Sequence, residues 1–97
     1  MNNTFKLKMK KFITCNFNNK TKSLILFKDI NLPFCPMPGI TISDRGFEDK
    51  IIDLIWHNDL HSWITNLEDG IITYDWAKTL EECLESYLNS GWERDDY

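Results

Sequence analysis

The sequence predicts an α+β domain: a small, strongly bent antiparallel sheet, or an SH3-like open barrel of about five strands, with one C-terminal helix. Three observations carry that expectation. Residues 4–10, TFKLKMK, alternate strictly, with Phe5, Leu7 and Met9 on one side and Lys6, Lys8 and Lys10 on the other. That period of two belongs to a half-buried strand. Residues 47–56 and 60–67 are rich in β-branched and aromatic side chains and flank HND at 57–59, which reads as a hairpin turning near Asn58 and Asp59. From residue 73 the period changes. Trp76, Leu80, Cys83, Leu84, Tyr87 and Leu88 recur at three- and four-residue steps, as one face of a helix does.

The remaining elements follow in chain order. Lys11 interrupts the first alternation, and Ile13, Cys15 and Phe17 resume it, so a bend or bulge is expected near 10–12. NNKTK at 18–22 is a polar turn, and SLILFKDI at 23–30 closes a first hairpin. Pro33, Pro36 and Pro38 cannot donate to a sheet ladder, so the segment they occupy cannot be a central strand. It reads as an ordered, extended corner with Leu32, Phe34 and Met37 as packing residues. ITI at 40–42 is a short strand, SDRG at 43–46 a turn and EDG at 68–70 another. Thr73 or Asp75 can cap the helix and Gly91 can end it. The chain is thus read as one domain spanning 1–97: β-rich over 1–72, helical over 73–91, with an acidic tail at 92–97.

Composition narrows the class. With 42% hydrophobic residues the chain can fill a core. It has no apolar run of about eighteen residues, and its N-terminus lacks the continuous apolar region and small-residue cleavage site of a signal peptide. Three widely spaced cysteines, without C-x-x-C, build neither a disulfide framework nor a zinc ribbon. The expected compartment is the reducing cytoplasm. Eleven isoleucines, nine asparagines and nine lysines stand against a single alanine. This bias toward A/T-rich codons points to an A/T-rich bacterium, its virus or a mobile element as the source.

The net charge of −4 conceals a gradient. Residues 1–30 carry seven lysines and one aspartate, whereas residues 68–97 carry Lys78 and Arg94 against nine acids. Such asymmetry suits charged partners, or two chain ends that neutralise each other.

Candidate chemistry is sparse. His57, Asp59 and His61 are metal-type ligands at strand spacing, but a turn at Asn58–Asp59 would separate them, and no fourth ligand is recognisable nearby. Neither G-x-S-x-G nor a glycine-rich phosphate loop is present. The adjacent carboxylates, such as Glu81 with Glu82, lie in polar surroundings that would not split their pKa values. FCP at 34–36 reads as a buried cysteine at a corner rather than a haem contact. No cofactor and no catalytic activity are therefore expected.

Two binding surfaces remain. Lys6, Lys8 and Lys10, widened by Lys11, Lys20 and Lys22, could meet phosphates of RNA or DNA; lysines also guard edge strands from pairing. The acidic surface of Glu81, Glu82 and Glu85, continued by Trp92, Glu93, Asp95, Asp96 and Tyr97, could dock on a basic protein. Trp56, Trp63 and Trp76 read as core, and Trp92, outside the helix, as the interface tryptophan. The favoured expectation is a non-enzymatic inhibitor or adaptor whose acidic helix and tail engage a nucleic-acid-handling protein or nuclease complex. The alternative is a small β-domain binding RNA or DNA through its lysine strand.

Overall fold

The computed structural model describes residues 4–95. Along them run β1 (Phe5–Phe17), β2 (Lys20–Leu32), β3 (Thr41–Asp44), β4 (Phe47–His57), β5 (Ser62–Leu67), β6 (Gly70–Thr73), α1 (Leu80–Asn89) and β7 (Glu93–Arg94). The hydrogen-bonded order is β3-β4-β5-β1-β2-β7, with β6 also pairing β1. β5 and β6 run parallel to β1, while β3–β4, β4–β5 and β2–β7 are antiparallel. The protein is therefore α+β, with a mixed, mostly antiparallel sheet of seven strands among the described residues. That sheet ends at β3 and β7 and does not close into a barrel. The expected bent antiparallel sheet or open barrel of about five strands omitted β6 and β7 and did not foresee the parallel pairing of β5 and β6 with β1.

β1 carries no bulge. Its odd-numbered residues are buried without interruption from Leu7 to Phe17, and Lys11, only 6% exposed, keeps its place among them. Gly70 makes this possible. A β-carbon on Gly70 would lie 2.8 Å from Lys11 Cε, so the lysine stem fills the space that the glycine leaves open. A lysine can bury its methylene stem in this way.

The described residues pack as two compact units: residues up to 10 with 28–68, and residues 11–27 with 69 onward. In the first, Leu7, Met9, Ile51, Thr65, Leu67 and Pro36 are buried. The proline corner is tied to β4: the Gly39 N–H donates to the Ile51 carbonyl, and the Ile51 N–H to the Ile40 carbonyl, each at 2.8 Å. Phe34 and Met37, expected to pack, are exposed, and Pro36 is the residue turned inward. Arg45 and Gly46, at φ 52° and 86°, form a two-residue turn between β3 and β4, with both positive φ angles that a tight hairpin favours. Ile52 is an extra residue in β4, since Ile51 pairs with Leu67 and Asp53 with Asn66. The Asn66 amide clamps the bulge by donating to both Asp53 carboxylate oxygens, at 2.8 and 3.1 Å.

In the second unit the first hairpin turns on Asn18 and Asn19 alone, at φ 46° and 59°. Lys20 and Lys22 consequently belong to β2 rather than to a turn. The helix begins at Leu80, seven residues later than expected. Neither Thr73 nor Asp75 caps it; the Thr79 hydroxyl does, accepting from the Glu82 N–H at 3.2 Å. Gly91, at φ 94°, ends it as expected. The Gly91 N–H donates to the Leu88 carbonyl, and the Trp92 N–H to the Tyr87 carbonyl at 3.1 Å. These are the paired bonds of a Schellman motif, and they place the Trp92 ring edge-on to Tyr87, with centroids 5.9 Å apart. Ile13, Cys15, Phe17, Leu26, Ala77, Cys83, Leu84 and Trp92 are buried here.

Thr79→Ala is expected to lower stability by about 1 kcal/mol, measured by urea unfolding. Thr73→Ala, which removes an exposed acceptor 3.3 Å from the Asn16 amide, is expected to cost much less. Equal losses would contradict the helix start at Leu80.

Candidate functional site

The acidic surface belongs to the second unit, and its residues do not all serve it alike. Glu81 is exposed, but Arg94 Nη1 donates to its Oε1 at 2.8 Å. A hydrogen bond at its own backbone and the Arg94 guanidinium hold the Glu81 carboxyl below the usual carboxylate range. Glu82 and Glu85 have no ion pair among the described residues, and the last helical turn carries no basic residue. Glu93 and Asp95 are not in a free tail. Glu93 pairs with Phe27 and Arg94 with Leu26 in β7, and the Asp95 N–H donates to the Ile25 carbonyl at 3.0 Å. Asp96 and Tyr97 lie outside the described residues.

The tryptophans exchange roles. Trp92, expected at an interface, is 4% exposed, because the helix stop folds it against Tyr87. Trp76, expected in the core, precedes the helix and is 62% exposed. Its ring stacks on Tyr74 at 5.3 Å, with 29° between the planes. Ile71, on the same unit, is 75% exposed. The segment from Ile71 to Trp76 therefore offers apolar and aromatic surface, with Asp75 between the two rings in sequence. Helical spacing from Trp76 to Leu80 mimicked a core face. The competing signal was Thr79-x-x-Glu82, a helix-start pattern that puts Trp76 outside. Trp56, expected in the core, is 44% exposed, its ring 5.4 Å from Trp63, which in turn lies 5.7 Å from Phe5.

The six candidate lysines divide between the two units. Lys6 is exposed, and Lys8 and Lys10 are half-buried, on the side of β1 opposite the buried Lys11. Lys6 and Lys8 line an open hollow of about 430 Å³ in the first unit, with Asp29, Asn31, Ser62 and Trp63. Lys8 Nζ is 3.8 Å from Asp29 Oδ1. Lys11, Lys20 and Lys22 belong to the second unit, the latter two exposed on β2.

His57 closes β4 opposite Ser62, and Asp59 and His61 lie in the connection to β5, His61 at φ 49°. The turn breaks the common face on which the three would have stood together. Among the described residues no three of His, Cys, Asp or Glu converge as metal ligands. Cys15 and Cys83 are buried, whereas Cys35 is exposed at the proline corner. Burial first, and the Cys83 thiol second, push the Cys15 thiol up to about 12; burial also raises Cys83. Both stay protonated at neutral pH, unlike reactive cysteines. No helix among the described residues is long and apolar enough to cross a membrane. Comparison with known protein families, with curated proteins and with solved structures finds no match.

A thiol reagent is expected to modify Cys35 in the native protein and Cys15 and Cys83 only after unfolding. Because the Cys15 pKa rises on folding from 9.0 to about 12, its contribution to stability is intact below pH 9 and is lost as pH rises toward 12. Alkaline unfolding of Cys15→Ala should therefore show a shallower loss of stability with pH. An unchanged slope, or rapid native labelling of all three thiols, would contradict this placement.

Proposed function

We propose that this chain is a non-enzymatic protein-binding module, an inhibitor or adaptor of viral or mobile-element origin acting in the cytoplasm. Its acidic second unit docks on the basic surface of a nucleic-acid-handling protein or nuclease complex. The observation that carries the reading is the exposed Tyr74–Trp76 stack in the same unit as the uncompensated carboxylates Glu82 and Glu85. A solvent-exposed tryptophan supplies the buried centre that binding hot spots need. Carboxylates in the same unit would give steering and partner choice more than raw affinity. Trp92 takes no direct part and instead holds the helix end.

Direct binding of RNA or DNA is the alternative. With Lys11 buried, it rests in the first unit on Lys6, Lys8 and Lys10, and its supporting observation is the hollow that Lys6 and Lys8 share.

Affinity capture from the native host tests the two together. The expected catch is a basic, nucleic-acid-handling protein, released as salt rises. Trp76→Ala should weaken its binding by about 2 kcal/mol or more, and Glu82→Lys with Glu85→Lys should slow association. Capture unaffected by these changes, but abolished by nuclease treatment and by Lys6→Ala with Lys10→Ala, would replace the docking reading with the alternative.

A further inference from the structure

We infer that the hollow of the first unit is a binding site for a small phosphomonoester, of the size of a nucleotide. This site is independent of the docking surface on the second unit. Its volume, about 430 Å³, falls within the range of roughly 300–1,000 Å³ typical of small-molecule pockets. β1 brings Lys6 and Lys8 to its wall, β2 brings Asp29 and Asn31, and β5 brings Ser62 and Trp63.

The charge arrangement selects the ligand. Lys8 already faces the Asp29 carboxylate at 3.8 Å, while Lys6 is exposed. A monoanion would draw mainly on Lys6, because Asp29 offsets Lys8. A dianion can engage both ammonium groups. At neutral pH a phosphomonoester carries a charge between about −1.5 and −2 and presents three acceptor oxygens. Lysine binds phosphate as a point charge, whereas the planar fork that recognises a carboxylate belongs to arginine, and no arginine lines the hollow. Asn31 adds a neutral donor; the Ser62 hydroxyl, which donates to the Leu60 carbonyl at 3.2 Å, and Asp29, with its side chain 79% exposed, can accept from a ligand hydroxyl. A phosphate attached to a hydroxylated ring satisfies all of these groups. It could be a free nucleotide or the 5′ end of a nucleic-acid strand.

The test is a two-dimensional NMR titration of the full chain with adenosine monophosphate, adenosine, and a short oligonucleotide with and without a 5′-phosphate. Adenosine monophosphate is expected to shift the amides of Lys6, Lys8, Asn31 and Ser62, and adenosine is not. Lys6→Ala should weaken binding about tenfold, as expected for a lost charged hydrogen bond. Lys6→Arg should retain most of it, and Lys20→Ala should leave it unchanged. Binding should weaken below about pH 6, where the phosphate takes up its second proton. Tighter binding of the 5′-phosphorylated oligonucleotide than of the mononucleotide would identify a strand end as the source. Equal binding of both oligonucleotides, shifts spread equally to Lys20 and Lys22, or no shifts at millimolar nucleotide would overturn the assignment.

Discussion

The alternation of β1 governs what the rest of the chain does. Six odd-numbered side chains, from Leu7 to Phe17, point into packed surroundings on one strand thirteen residues long. A slip of one residue would turn all six outward, so the register is strongly set. The same strand pairs with β2, with β5 over residues 7–10 and with β6 over residues 13–16. Lys11 shows how firmly the constraint acts. The strand does not bulge to release a charged side chain; Gly70 on β6 leaves room for its stem instead.

The positions of charge and aromatic surface follow from the ends of these elements. Gly91 stops α1 and turns Trp92 inward, and the chain then pairs with β2 as β7, carrying Arg94 to Glu81. That ion pair removes one carboxylate from the acidic surface and leaves Glu82 and Glu85. At the other end, Thr79 delays the helix start, so Tyr74 and Trp76 stay outside it as an exposed stack. Exposed aromatic area is costly to leave in water unless a partner covers it, which is why the docking proposal centres on this stack rather than on the helix alone. Lys6 and Lys8, on the outward side of β1, line the hollow proposed above for a small anion.

Much of this was legible in the sequence. Period-two alternation marked β1, β-branched and aromatic runs marked β4 and β5, and three- and four-residue spacing marked α1 with Gly91 as its stop. These signals are local, and the local physics prevailed. β6 and β7 were not legible. Gly-Ile-Ile-Thr has no alternation of its own and becomes a strand only by pairing in parallel with a segment more than fifty residues away, a contact that no short window contains. Glu93–Arg94 is polar and gains its strand character from β2 alone. Lys11 misled because a charge on an apolar row reads as a break unless the facing glycine is known. Of the proposed surfaces, the carboxylates and lysines were visible as types. Their division into paired, buried and exposed groups was not, since it depends on Arg94, Gly70 and Asp29, all remote in sequence.

Native-state amide hydrogen exchange tests the central role of β1 most directly. The account predicts that the amides of β1 between residues 13 and 16 exchange near the slowest rate in the molecule. The Tyr74 N–H, which donates to the Asn16 carbonyl at 2.9 Å, should be protected with them, while Asp75, Trp76, Lys78 and Thr79 exchange quickly. Protection running continuously from residue 73 into the helix, with β1 no slower than the surface turns, would contradict it.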